Sequence, residues 1–114
     1  MIPLDLLTLA FWLVALHFIA DFHLQTDFIV REKAPSGNAI WPWVMSAHAA
    51  MHGIMVALVL SPIYGVAEWV AHWLIDYAKS TGRLRSGAWD VHLDQALHLV
   101  VKGLWLALYA GFSS

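Results

Sequence analysis

A polar side chain recurs every fourth residue inside stretches that are otherwise apolar: His17, Asp21 and Gln25; His48 and His52; Glu68, His72 and Asp76; Asp94, His98 and Lys102. On a helix, residues four apart lie one above the other, about 5–6 Å between Cβ atoms. Each run therefore draws a polar stripe along one face of a helix. Burying four such stripes costs least when they face one another, so this feature largely dictates the fold.

Composition identifies the surroundings. Of the 114 residues 61% are hydrophobic and only 12% charged, with a mean hydropathy of +0.66. That lies far from a soluble domain of this length. The expected class is all-α, a four-helix transmembrane bundle forming one domain over residues 1–114, with helices at about 4–30, 40–60, 62–79 and 91–112. A net charge of −2 with six basic residues offers no stripe for nucleic acid. The absence of cysteine removes disulfides, thiolate zinc sites and a thiol nucleophile. The apolar run at Met1 has no basic residue before it and no small-residue cleavage site, so it reads as a retained span.

Breaks and caps fix the order. Pro35, Gly37 and Asn38 mark the first loop. Ser61-Pro62 is a short connection with serine as N-cap and proline at the first helical position, which makes the second and third helices antiparallel. The segment 80–87 is the second long loop, with Asp90 as the next cap. Arg31, Lys33, Lys79, Arg83 and Arg85 fall in the two long loops. The positive-inside rule then puts both loops in the cytoplasm and both termini outside a bacterial inner membrane. Trp41, Trp43, Tyr77 and Trp89 would line the inner interface, and Tyr64, Tyr109 and Phe112 the outer. A soluble buried bundle is the alternative, opposed by the lack of any wide charged face. The pattern His-aromatic-apolar-apolar-Asp-aromatic occurs at His17–Phe22 and again at His72–Tyr77, which suggests two repeated helical hairpins.

Counting at about 1.5 Å per residue from the inner ends predicts one layer of His17, His52, His72 and His98. A second layer, one turn inward, holds Asp21, His48, Asp76 and Asp94. A lone intramembrane aspartate costs roughly 2.5–3.5 kcal/mol, so three need neutralising, and bound cations would do so. Eight ligands exceed one tetrahedral ion, and the expected cofactor is a pair of divalent transition-metal ions, zinc, iron or manganese. Glu68 and Lys102 should meet as a buried ion pair above the site. Glu68 is the candidate general base and Lys102 the candidate holder of an anionic group, with snorkelling of Lys102 as the plainer alternative. Gln25 is expected beneath Asp21, and His23, Asp27 and His92 in solvent.

The motifs His17-xxx-Asp21-Phe-xx-Gln25, His48-xxx-His52, His72-xxx-Asp76-Tyr-x-Lys79 and Asp94-Gln95-xx-His98, in that order over almost the whole chain, resemble a family of small multi-pass bacterial and phage membrane proteins of unknown function. That resemblance implies a membrane fold and no activity. A more distant likeness, in the paired histidines and aspartates on membrane helices, is to membrane-bound metal-dependent hydrolases. It implies metal and hydrolysis, without their longer motifs and without a substrate.

The functional expectation is a metal-dependent hydrolase acting on a lipid or phosphoester from the cytoplasmic leaflet, with the bilayer as partner and oligomers left open. Other classes fit the same stripes. A metal or proton transporter would accumulate its ion in vesicles, bis-histidine haem at His52 and His98 would give a Soret band, and a non-catalytic interaction module would show neither.

Overall fold

The computed structural model describes residues 3–33, 39–80 and 90–113. It is all-α: α1 (Pro3–Phe18) continues into a wide turn (Ile19–His23), followed by α2 (Asp27–Glu32), α3 (Trp41–Val59), α4 (Pro62–Ser80) and α5 (Asp90–Ser113). α1, α3, α4 and α5 close a ring in which α1 packs on α3 and α5, and α4 packs on both α3 and α5. The bundle measures 49 × 27 × 22 Å.

The closest pairing is α3 with α4, turned back on each other at Ser61, whose carbonyl accepts from the Gly65 amide at 3.1 Å. Small residues let the backbones touch. A Cβ on Gly53 would lie 2.7 Å from the Gly65 carbonyl oxygen, and one on Gly65 would lie 2.6 Å from Ala57 Cβ. This is the small-residue contact by which helices approach closely in lipid. At the other end of the pair Trp41, Trp73 and Tyr77 stack, with ring centroids 5.2–6.3 Å apart, and Trp43 stands exposed at 80%. Trp89 and the arginines at 83 and 85 lie outside the described residues.

The first helix differs from its expected course over 4–30. Regular α-helical bonding ends at Phe18, the Leu24 amide reaches back five residues to the Ile19 carbonyl at 2.8 Å, and the chain then breaks. The cause is Thr26, which is extended and caps α2 by accepting from the Ile29 amide at 3.2 Å. Gln25 repairs the break by donating to the Asp21 backbone carbonyl at 2.7 Å. The other helices lie within about a residue of their expected bounds.

Burial is inverted relative to a water-soluble bundle. Among the described residues the interior is mostly polar, with Leu13, Ala20, Met45, Ala49 and Val56 as its buried apolar side chains, whereas Leu7, Leu58, Ile63, Val100 and Phe112 are each two-thirds exposed or more. Asp5–His23, Trp41–Val59 and His92–Phe112 are long and apolar enough to cross a membrane. The fourth expected span, α4, lacks that composition because Glu68, His72, Asp76 and Lys79 lie along it.

Candidate metal centre

Every stripe residue named from the sequence turns inward. His17 comes from the last turn of α1 and Asp21 from the wide turn, His48 and His52 from α3, His72 and Asp76 from α4, Asp94 and His98 from α5, and all are buried. The upper layer is a chain of rings. His52 stacks on His72 at 3.9 Å and His72 on His98 at 4.0 Å, with His17 5.2 Å from His52. One turn away His48 Nε2 sits between two acids, 3.6 Å from Asp21 Oδ1 and 3.7 Å from Asp76 Oδ2. Those are the matching acids of the two repeated motifs.

Hydrogen bonding leaves most of these imidazole nitrogens unsatisfied. Both ring nitrogens of His48, His52 and His72, together with Asp94 Oδ1 and His17 Nδ1, are buried with no hydrogen-bond partner among the described residues. Leaving such atoms unpaired is costly. They nevertheless crowd together: His52 Nε2 is 3.5 Å from Asp21 Oδ1, His72 Nε2 is 3.2 Å from Asp76 Oδ2, and His98 Nε2 is 3.2 Å from Asp94 Oδ1. Ligands about 2.1 Å from a tetrahedral ion are about 3.4 Å apart. The spacing is thus that of a coordination shell.

Two disjoint groups, Asp21/His48/His52/His72 and Asp76/Asp94/His98, each bring their ligand atoms within 4.8 Å of one another, and Glu68/His72/His98 forms a third that overlaps both. These buried groups can hold a metal ion. Asp76 links the two disjoint sets, since His98 Nε2 donates to its Oδ1 at 3.2 Å while its Oδ2 faces His72 and His48. His17 stands outside all three groups; its Nε2 donates to Gln95 Oε1 at 2.9 Å.

Glu68 and Lys102 meet at 2.9 Å, and Trp105 Nε1 donates to the second Glu68 oxygen at 2.9 Å. Glu68 Oε2 also lies 3.4 Å from His72 Nδ1, the carboxylate-histidine arrangement that orients a metal-binding ring. Snorkelling of Lys102 does not occur, for it is 2% exposed.

Two polar residues were not among the expected site residues. Gln95 joins the layers, its amide donating to Asp21 Oδ2 while its oxygen accepts from His17; its place next to Asp94 was the available signal. Lys33, counted above as a loop charge, is 8% exposed, donating to Gln25 Oε1 at 2.6 Å and to Asp76 Oδ2 at 3.4 Å. The break before α2 folds it back over the site, and no periodicity foretells that. Lys79 pairs with Asp94 at 3.3 Å. His23, Asp27 and His92 are exposed, as expected.

No curated protein and no solved structure matches this chain. Over residues 8–109 the chain matches, and so belongs to, the family described as a protein of unknown function (DUF3307).

Proposed function

We propose that this is an integral membrane, metal-dependent hydrolase that acts on a lipid or phosphoester reached from the cytoplasmic leaflet. The observation that carries the reading is the set of buried, unpaired imidazole nitrogens of His48 and His52 lying 3.5–3.7 Å from carboxylate oxygens of other elements, with His72 Nε2 3.2 Å from Asp76 Oδ2 on its own helix. The inverted burial supports a bilayer as solvent, and the arginines of the two long loops support a cytoplasmic position for those loops, with the termini outside a bacterial inner membrane.

Charge supports the pairing of metal with an anionic substrate. Asp21, Glu68, Asp76 and Asp94 face Lys33, Lys79 and Lys102, which leaves one negative charge in the cluster. Two divalent ions, zinc, iron or manganese, would turn this into three positive charges, and a phosphate ester neutralises most of them. Bound there, such ions polarise a phosphoryl oxygen and activate water near neutral pH.

The chain's own residues have definable parts. Asp21, His48, His52 and His72 would hold one ion and Asp76, Asp94 and His98 the other, with Asp76 between them. Gln95 fixes Asp21 and the His17 ring. Lys102 and Trp105 hold the two oxygens of Glu68, the candidate general base, in place at 2.9 Å each. An ion path is less well supported, because one turn beyond the histidine layer Leu13 and Val56 are buried and the Glu68 and Lys102 side chains at the same level are bonded to each other at 2.9 Å.

The test is elemental analysis of the purified protein and of Asp76→Ala, beside hydrolysis of phosphatidic acid and of a soluble phosphomonoester. Bound transition metal, chelator-sensitive hydrolysis and loss of both in the variant are expected. Wild-type protein that neither retains nor takes up a transition metal would end this reading.

A further inference from the structure

The site is not equally sealed on all sides. His17, His48, His52 and His72 are 0% exposed and Glu68, His98, Asp76 and Lys102 at most 2%, whereas Asp21 and Asp94 are each 7% and Lys33 8% exposed. The Lys79 side chain is 24% exposed. Among the described residues, exposure within the cluster therefore rises toward the end where Lys33 and Lys79 stand. The two ammonium groups sit on the outer flank of an acid pair: Lys33 on Asp76 at 3.4 Å and Lys79 on Asp94 at 3.3 Å. The far oxygens of the same two acids both lie 3.2 Å from His98 Nε2.

A lysine beside a metal ligand repels the ion that the ligand is meant to hold. Two such lysines at the more exposed end of the cluster need a reason other than metal affinity. An ammonium carries three donors, and those of Lys33 serve Gln25 Oε1 at 2.6 Å and, more loosely, Asp76 Oδ2 at 3.4 Å.

We propose that Lys33 and Lys79 form an anion clamp at the mouth of the centre, which receives the phosphate of the substrate between themselves and the ligand set. This rests on the metal reading above and deepens it by naming the substrate's recognised group. With metal on Asp76 and Asp94, the carboxylates share their charge with the ions and the lysines turn their donors to the incoming phosphate oxygens. The α2 segment, which brings Lys33 to the site, is thereby part of substrate binding.

The test uses the full chain in phosphatidylcholine nanodiscs loaded with manganese, whose paramagnetism broadens the phosphorus NMR line of any phosphate held nearby. Metal content is measured first, after incubation with manganese, zinc and iron in turn; uptake of none overturns the metal centre and the clamp with it, and if only zinc or iron binds, phosphate protection of the two lysines from reductive methylation replaces the broadening. Inorganic phosphate is then titrated, and in a parallel arm phosphatidic acid is included in the disc, so that a free phosphate and a lipid headgroup are told apart. Broadening of either signal is expected in the wild type. Lys33→Met and Lys79→Met should each weaken it about ten- to a hundredfold, the loss of one charge-assisted hydrogen bond, with manganese retained, while Lys33→Arg and Lys79→Arg keep most of it. Should the methionine variants fail to fold, protection of Lys33 and Lys79 from reductive methylation by phosphate in the wild type gives the same answer. Full manganese loading with no phosphate broadening, unchanged affinity in the methionine variants, or no protection would overturn the clamp and leave the metal reading standing.

Discussion

Replacing His52 with leucine should have opposite effects on stability with and without metal. His52 is 0% exposed, and neither ring nitrogen has a hydrogen-bond partner among the described residues. Each unpaired buried polar atom costs about 1–3 kcal/mol, so the two nitrogens together burden the metal-free fold by about 2–6 kcal/mol. Leucine has nearly the volume of histidine and removes both atoms. Imperfect fit returns part of the gain, since reshaping a packed site costs about 1–3 kcal/mol, which leaves the metal-free variant more stable by about 1–3 kcal/mol. In metal the order reverses. At a free ion concentration a thousand times the dissociation constant the wild type gains about 4 kcal/mol, whereas a variant bound a thousandfold more weakly for want of one of the four donors in the Asp21 group gains about 0.4 kcal/mol, a difference that outweighs its metal-free advantage. Equilibrium unfolding in one detergent, with chelator and with excess metal, measures both. If His52→Leu destabilises the protein equally in both conditions, the imidazoles are a structural hydrogen-bond network and the coordination argument is wrong.

Gly53→Ala should cost about 1–3 kcal/mol by pushing α4 away, because its Cβ would meet the Gly65 carbonyl oxygen at 2.7 Å, a backbone atom that cannot swing aside. Gly103→Ala, whose Cβ meets nothing within 4 Å, should be neutral or gain up to about 1 kcal/mol of helix propensity; equal effects in thermal unfolding would contradict the packing described. Gln95→Leu should lower metal affinity about 10- to 100-fold by releasing His17 and Asp21, measured by competition with a chromophoric chelator, and an unchanged affinity would deny Gln95 its orienting part. In a double-mutant cycle of Glu68→Gln and Lys102→Met, the coupling should exceed about 1 kcal/mol, above that of an exposed pair; additive effects on unfolding would mean that the 2.9 Å contact is energetically idle.

Much of the centre could be read from spacing because a four-residue step on a helix fixes direction as well as distance. His48 and His52, or Asp94 and His98, point one way whatever the loops do, so the faces and the two layers followed from counting. Groups delivered by a change of chain direction could not be read this way. Lys33 reaches Asp76 only because the helix breaks at Leu24–Thr26, and the sole local sign of that break is a threonine able to cap α2. His17 shows the complementary limit. Its position was legible, yet whether its ring meets a ligand group or the Gln95 amide depends on side-chain packing across helices that come from opposite ends of the sequence. The shortfall of α4 in hydropathy was legible in its charged residues, but their mutual neutralisation makes a span depend on its partners and not on its own composition.

That last point bears on how the chain is assembled. In a bilayer α4, with Glu68 still lacking Lys102 and Asp76 still lacking His98, would be a poor candidate for entry alone, since the cation that pairs with Glu68 is synthesised later, on α5. The tight reversal at Ser61 and the Gly53–Gly65 contact allow it to go in as one leg of a hairpin, carried by the apolar α3. Insertion would then run in two stages, with the hairpin first and electrostatic closure on arrival of the last helix, and a chain truncated before α5 should already hold α4 in the membrane, shielded from water-borne labels.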